Sequence, residues 1–156
     1  MYLRPLETAD APQIAGLWLT GAAESAKTEA AYLPQVSQQA YAQIIADELA
    51  AQTCLGWGIF DTATTNLFAY LTAKIYLPEP EFAQTPCLYL QDLDVHPQQR
   101  RRGLGAQLVA AARSYAIEQK LGSIEVNWLS EDVQASAFWH SQGFKQFLVR
   151  GRCRLQ

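Results

Sequence analysis

Arg100, Arg101 and Arg102 stand directly before Gly103, Leu104 and Gly105 in the stretch "DVHPQQRRRGLGAQLVAAARSYA", between a strand-like run and a long helical one. The amino end of a helix carries roughly half a positive charge and several unpaired N–H groups, so cations beside it are repelled unless an anion lies between them. Glycines let such an anion approach the backbone, and successive N–H groups can then point at it. Arg-x-x-Gly-x-Gly therefore reads as a phosphate cradle, with a solvated arginine turn as the alternative. Two other phosphate motifs are excluded. A dinucleotide fingerprint needs a third glycine where Leu108 stands, and a P-loop needs Gly-Lys-Ser/Thr, which does not occur.

Carboxylates that could move a proton lie just upstream. In "CLYLQDLDV", alternation puts Tyr89, Gln91 and Leu93 on one face and Asp92 and Asp94 on the other, an assignment that a bulge would change. Asp92 is the candidate general base. Its alternative is a carboxylate paired with an arginine or exposed at a strand end. His96 and His140 read as surface residues.

The chain around these groups has 156 residues, 49% of them hydrophobic, enough for one domain spanning 1–156. Its formal net charge of −3 makes the arginine cluster a local exception, unlike the broad basic face of a nucleic-acid binder. Its three cysteines, Cys54, Cys87 and Cys153, are far apart in strand-like surroundings, which suggests neither a disulfide framework nor a metal site. A reduced cytoplasm is the expected setting. The opening "MYLRPLETAD" lacks the apolar core of a signal peptide, and no apolar run is long enough to span a bilayer.

The elements that must position the motifs alternate between strand and helix periods. "MYLRPL" predicts a strand, and Thr8 the cap of a helix with Ile14, Leu17 and Trp18 on its apolar stripe, stopping near Gly21. Residues 22–36 read as an irregular connection. Ser37 opens a second helix whose buried face is Tyr41, Ile44, Ile45 and Leu49. "CLGWGIF" and "LFAYLTAKIY" are strands joined by "DTATTN", and the prolines of "LPEPEFAQTP" make a loop. "CLYLQDLDV" is the fourth strand, 103–121 a helix, "SIEVNW" the fifth strand, "DVQASAFWHSQ" a short helix ended by Gly143, and "FKQFLVRGRCRL" a last strand or pair. Hairpin strands followed by a strand–helix–strand crossover predict a mixed α/β sheet with helices on both faces.

Three segments in order resemble the GNAT superfamily of acyl-CoA-dependent N-acyltransferases. "LRPLETADAPQIAGLW" is similar to its first strand and helix, "LDVHPQQRRRGLGAQLV" to its [QR]-x-x-G-x-[GA] pyrophosphate segment, and "DVQASAFWHSQGF" to its N-x-x-A-x-x-F-Y-x-x-x-G-F pattern. The resemblance implies an α+β fold with a mostly antiparallel sheet whose fourth and fifth strands splay apart around acetyl-CoA. Leu93, Asp94 and Val95 would offer backbone groups to the pantetheine arm and acyl carbonyl. Arg100, Arg101, Arg102, Gly103, Leu104, Gly105 and Ala106 would hold the pyrophosphate. It implies no metal, and an amine acceptor of a small molecule or peptide attacking directly in a ternary complex. Asp132 stands where the family often has Asn, and Trp139 where it often has a Tyr that protonates the departing thiolate. Asp132 then reads as a helix cap or a ligand contact, and Trp139 as core or cofactor wall. An indole cannot act as an acid near neutral pH, so a catalytically weak acyl-CoA-binding module is the alternative function. An interaction domain on the same fold, and a homodimer, stay open. Glu79 and Glu81, with Asp92 and Asp94, suggest a cationic acceptor if the proline-rich loop folds over the cleft.

Overall fold

Alternation along Leu67–Tyr76 sends Ala69, Leu71 and Ala73 to one side and Tyr70, Thr72 and Lys74 to the other, and a five-stranded sheet is built around this strand. The computed structural model describes residues 1–156 except Pro80, Phe82, Arg154 and Gln156. Strands β1 (Tyr2–Pro5), β2 (Leu55–Phe60), β3 (Leu67–Tyr76), β4 (Cys87–Val95) and β5 (Ser123–Val126) lie in sequence order. All pairs are antiparallel except β4–β5, which the intervening helix makes parallel. Helices α1 (Ala11–Thr28) and α2 (Gln38–Ala50) cover one face, burying Ile14, Leu17 and Ile45 against Leu6, Phe60 and Tyr70. On the other face, α3 (Leu104–Glu118) and α4 (Val133–Ser141) pack Leu108, Val109, Ala112 and Trp139 on Leu71, Leu88 and Leu90. A side chain as fully buried as Leu108 contributes about 1.5–3 kcal/mol. No helix among the described residues is long and apolar enough to cross a membrane.

Several local expectations are corrected. The first helix is not capped by Thr8: Glu7 and Asp10 form a capping box around a turn of 3-10 helix, and Asp10 also accepts two 2.8 Å hydrogen bonds from Arg4 of β1. Nor does that helix stop at Gly21. It runs seven residues further, because the glycine is retained for close packing against β4 rather than for a turn. Ile44, expected inside, is 46% exposed, and Ile45 carries the α2 contact.

The strand β4 carries a bulge. Thr72 lies opposite Asp92 but Ala73 lies opposite Leu90, so Gln91 is the extra residue. The face assignment from simple alternation therefore fails beyond it: Tyr89 shares a face with Asp92 and Asp94, while Leu90, Leu93 and Val95 turn to the α3 side. The expected final strand does not form among described residues 144–153. Phe147, Leu148 and Val149 are exposed, and among the described residues β5 pairs only with β4. A strand pattern needs a partner edge as well as alternation, and here Arg152 is paired instead with Glu29, beyond α1, at 3.0 Å.

Candidate active site

Strands β4 and β5 are joined only from Cys87–Leu90 to Ser123–Val126. Past Leu90, β4 continues alone to Val95 and the chain after β5 leaves the sheet, opening a cleft of about 1420 Å³. Gln91 to Val95, residues 126–129, the α1 face at Trp18, Gly21 and Glu24, and the turn before α3 line it. The unpaired edge of β4 thus presents backbone donors and acceptors to the cleft, a consequence of strand divergence rather than of any side chain.

At its far end the chain turns through two left-handed residues, Arg101 (φ 61°) and Gly103 (φ 77°), before entering α3. Gly103 is the N-cap and supplies no side-chain cap, so the first N–H groups of α3 face outward. A methyl group built on Gly103 would meet nothing within 4 Å, so there is open space over these amides. Gly105 differs: a Cβ there would lie 3.1 Å from Phe138 of α4 and 3.5 Å from Leu93, so this glycine seats α3 on β4 and α4. An open helix N-terminus beside cations is an arrangement that can hold an anion.

The three arginines do different work. Arg100 donates from Nε to the Val95 carbonyl at 3.1 Å and makes a two-pronged pair with Glu24 of α1, at 2.7 and 3.2 Å. It ties α1 to the open end of β4. Arg102 donates to Gln99, and Arg101 lines the cleft beside Gly103, Leu104, Gly105 and Ala106. Asp132 caps α4, accepting from the Ala135 N–H at 2.9 Å. Trp139 is 6% exposed, with its ring set edge-on to Phe138 and Phe144, so it packs in the core at the cleft wall.

The acidic floor lies on the α1–α2 side. Asp92 receives the Thr72 hydroxyl at 3.3 Å, with the polar groups of Trp18 and Tyr41 also turned to it. Burial pushes its carboxyl above the ordinary range, opposed by those three donors. Among the described residues, Asp94 receives only the Tyr70 hydroxyl, at 2.8 Å on Oδ2. Burial first, then the neighbouring Asp92 and Glu24 charges, push it up to about 7, against Tyr70 and Arg100. Trp18 and Tyr41, stacked with centroids 3.8 Å apart, roof this floor. Sequence reasoning missed Trp18, Gly21, Glu24, Tyr41 and Tyr70 as site residues. Each reads locally as helix stripe, surface or strand, and only the packing of α1 and α2 on β3 and β4 brings them together.

A family model for the acetyltransferase (GNAT) family matches residues 22–144. The chain belongs to the GNAT acetyltransferase family. Comparison with curated proteins gives no match. Among solved structures, a mutant of the BH1408 protein from Bacillus halodurans superposes with a TM-score of 0.86 at 19% identity, covering 100% of both chains. The aminoglycoside antibiotic 6'-N-acetyltransferase from Acinetobacter haemolyticus gives 0.70 at 19%, again over 100% of both. An aminoglycoside acetyltransferase from an uncultured soil metagenomic sample gives 0.73 at 18%, over 99% of this chain and 96% of that one. These similarities share the GNAT fold, including the parallel β4–β5 pair in an otherwise antiparallel sheet.

Proposed function

We propose that the protein is an N-acetyltransferase that moves an acetyl group from acetyl-CoA to a primary amine by direct attack in a ternary complex. The observation that carries this reading is one continuous cleft with a cationic, amide-lined end at the start of α3 and a carboxylate floor beside the unpaired edge of β4. The helix terminus would hold the phosphates, and backbone N–H groups along Leu93–Val95 would polarise the acyl carbonyl. The acceptor enters from the α1–α2 side, where Glu24, Asp92 and Asp94 favour a cationic amine. Glu79 and Glu81 are exposed and not among the described cleft-lining residues, so the attraction rests on α1 and β4 rather than on the proline-rich loop. Aminoglycosides, named for two structural relatives, are polycationic amines of the kind such a floor suits.

The buried Trp139 favours a second reading, an acyl-CoA-binding module with little turnover, because no acidic side chain replaces the tyrosine there. Calorimetry with CoA, and thiol release from acetyl-CoA with kanamycin, spermidine, glucosamine and glutamate, separate the two. Turnover favouring the cationic amines, and weakening as salt shrinks the Debye length from about 10 Å at 0.1 M to about 3 Å at 1 M, is the expected result. Preference for glutamate, or indifference to salt, removes the cationic acceptor. Saturable CoA binding without turnover for any amine leaves the second reading.

A further inference from the structure

Glu24 of α1 and Arg100 of the turn before α3 lie 76 residues apart in sequence, both line the cleft, and they meet through a two-pronged bond at 2.7 and 3.2 Å. Each side chain is 41% exposed. Held together, the two ions offer a ligand little net charge: a phosphate approaching Arg100 also meets the carboxylate, and an ammonium approaching Glu24 also meets the guanidinium. An exposed pair holds its members weakly, because water competes for both. The arginine has a second hold. Its Nε donates to the Val95 carbonyl at 3.1 Å, while the terminal nitrogens Nη1 and Nη2 carry the bond to Glu24. A phosphate presents to a guanidinium the same pair of oxygens as a carboxylate, with more charge. The terminal nitrogens can therefore exchange Glu24 for a phosphate while Nε keeps Arg100 at the open end of β4.

From this geometry, and on the reading of the cleft as an N-acetyltransferase site, we propose that Glu24 and Arg100 form a latch that couples the two ligands: a CoA phosphate draws Arg100 from Glu24, and the released carboxylate then attracts the cationic amine. The pair is the two-state element, closed here and open when both ligands are in place. Each ligand raises the affinity for the other by the same factor, because coupling between two binding sites is reciprocal. The latch answers an opposition built into the cleft. A bare Glu24 would repel the cofactor phosphates and a bare Arg100 would repel the amine, so each ion is masked by the other until its own ligand arrives. The released charge also reaches the carboxylate floor. Asp94, raised mainly by burial, feels both ions, Arg100 lowering its carboxyl and Glu24 raising it, so Glu24 freed of Arg100 adds to the negative potential that the amine meets there.

The experiment is calorimetry with CoA, which has no acyl group to transfer, in the presence and absence of spermidine or kanamycin. It is run on wild type, Glu24→Gln, Arg100→Gln and the double variant at about 0.15 M salt, where the Debye length is about 8 Å. Wild type should bind CoA about fivefold tighter with the amine present, the low end for coupled sites because the pair is exposed. Glu24→Gln should bind CoA about fivefold tighter than wild type with no amine, and the amine should add nothing further. In the Arg100→Gln background only the screened field of Glu24 remains, so the same glutamate change should alter CoA affinity less than about twofold. The sign of the Glu24→Gln effect separates a latch from a staple: if the pair only braces α1 against β4, its loss loosens the cleft and weakens CoA binding. Weaker or unchanged CoA binding by a Glu24→Gln protein whose thermal melt shows it folded overturns the latch while the transferase reading stands. An equal gain in the Arg100→Gln background does the same, since it assigns the effect to the general field of the carboxylate. Wild-type CoA affinity that neither amine changes overturns the coupling. Absence of CoA binding by the wild-type protein overturns the latch and the transferase reading together.

Discussion

Gly103 gives the sharpest test of the phosphate cradle. Its φ of 77° is left-handed, it caps α3, and the space around its missing side chain is open for 4 Å. Asparagine and aspartate are the two residues that tolerate this conformation best, at a shared strain of order 1–2 kcal/mol, and they differ only in charge. Gly103→Asn and Gly103→Asp therefore form a matched pair. A carboxylate about 6 Å from a phosphate charge repels it by about 0.7 kcal/mol at the dielectric of water and about 2.8 kcal/mol at an effective constant of 20. A value of about 2 kcal/mol corresponds to a roughly 30-fold weaker Kd for the aspartate variant than for the asparagine variant. Calorimetric titration with CoA at low and high salt reads the difference, which should shrink in 1 M salt. Aspartate at an N-cap also favours the helix dipole, so weaker binding cannot be ascribed to a looser helix. Equal CoA affinity for the two folded variants at low salt would refute the cradle.

Other consequences follow from burial. Trp139→Tyr places a hydroxyl among Phe138 and Phe144 without a partner, and thermal melts should show a loss of about 1–3 kcal/mol, with no gain in transfer rate; a faster enzyme would mean that position 139 faces the sulfur. Burial raises Asp94 to about 7, so between about pH 4 and 7 the folded chain binds more protons than the unfolded one. Stability should accordingly fall as pH rises through that window and level off above it, and Asp94→Asn should flatten the profile measured by urea melts. Removing Asp10 leaves Arg4 of β1 without its carboxylate and the Glu7 N–H without its acceptor before α1, and Asp10→Ala should cost about 2–4 kcal/mol in the same assay; a loss below about 1 kcal/mol would mean that water replaces the pair.

The sequence by itself determined what depends on local chemistry. The run from Arg100 to Gly105 announced a helix N-terminus, because glycine spacing acts within one turn of chain, and the strand and helix periods of β2, β3, β4 and α3 were legible for the same reason. Asp132 as the cap of α4 was equally readable among the alternatives. Tertiary structure decided everything that depends on contact across elements. Gly21 looked like a helix stop because glycine is a poor helix former, and only the carboxylate of Asp94, 73 positions later, shows why it sits mid-helix. The bulge at Gln91 reversed the faces of Tyr89 and Leu93, since register is set by the neighbouring strand and not by alternation alone. Phe147, Leu148 and Val149 have strand composition and no strand, because a ladder needs an edge to join. Arg100, read as a phosphate ligand, holds Glu24 and Val95, a pairing fixed by where α1 ends up in space rather than by anything near it in sequence.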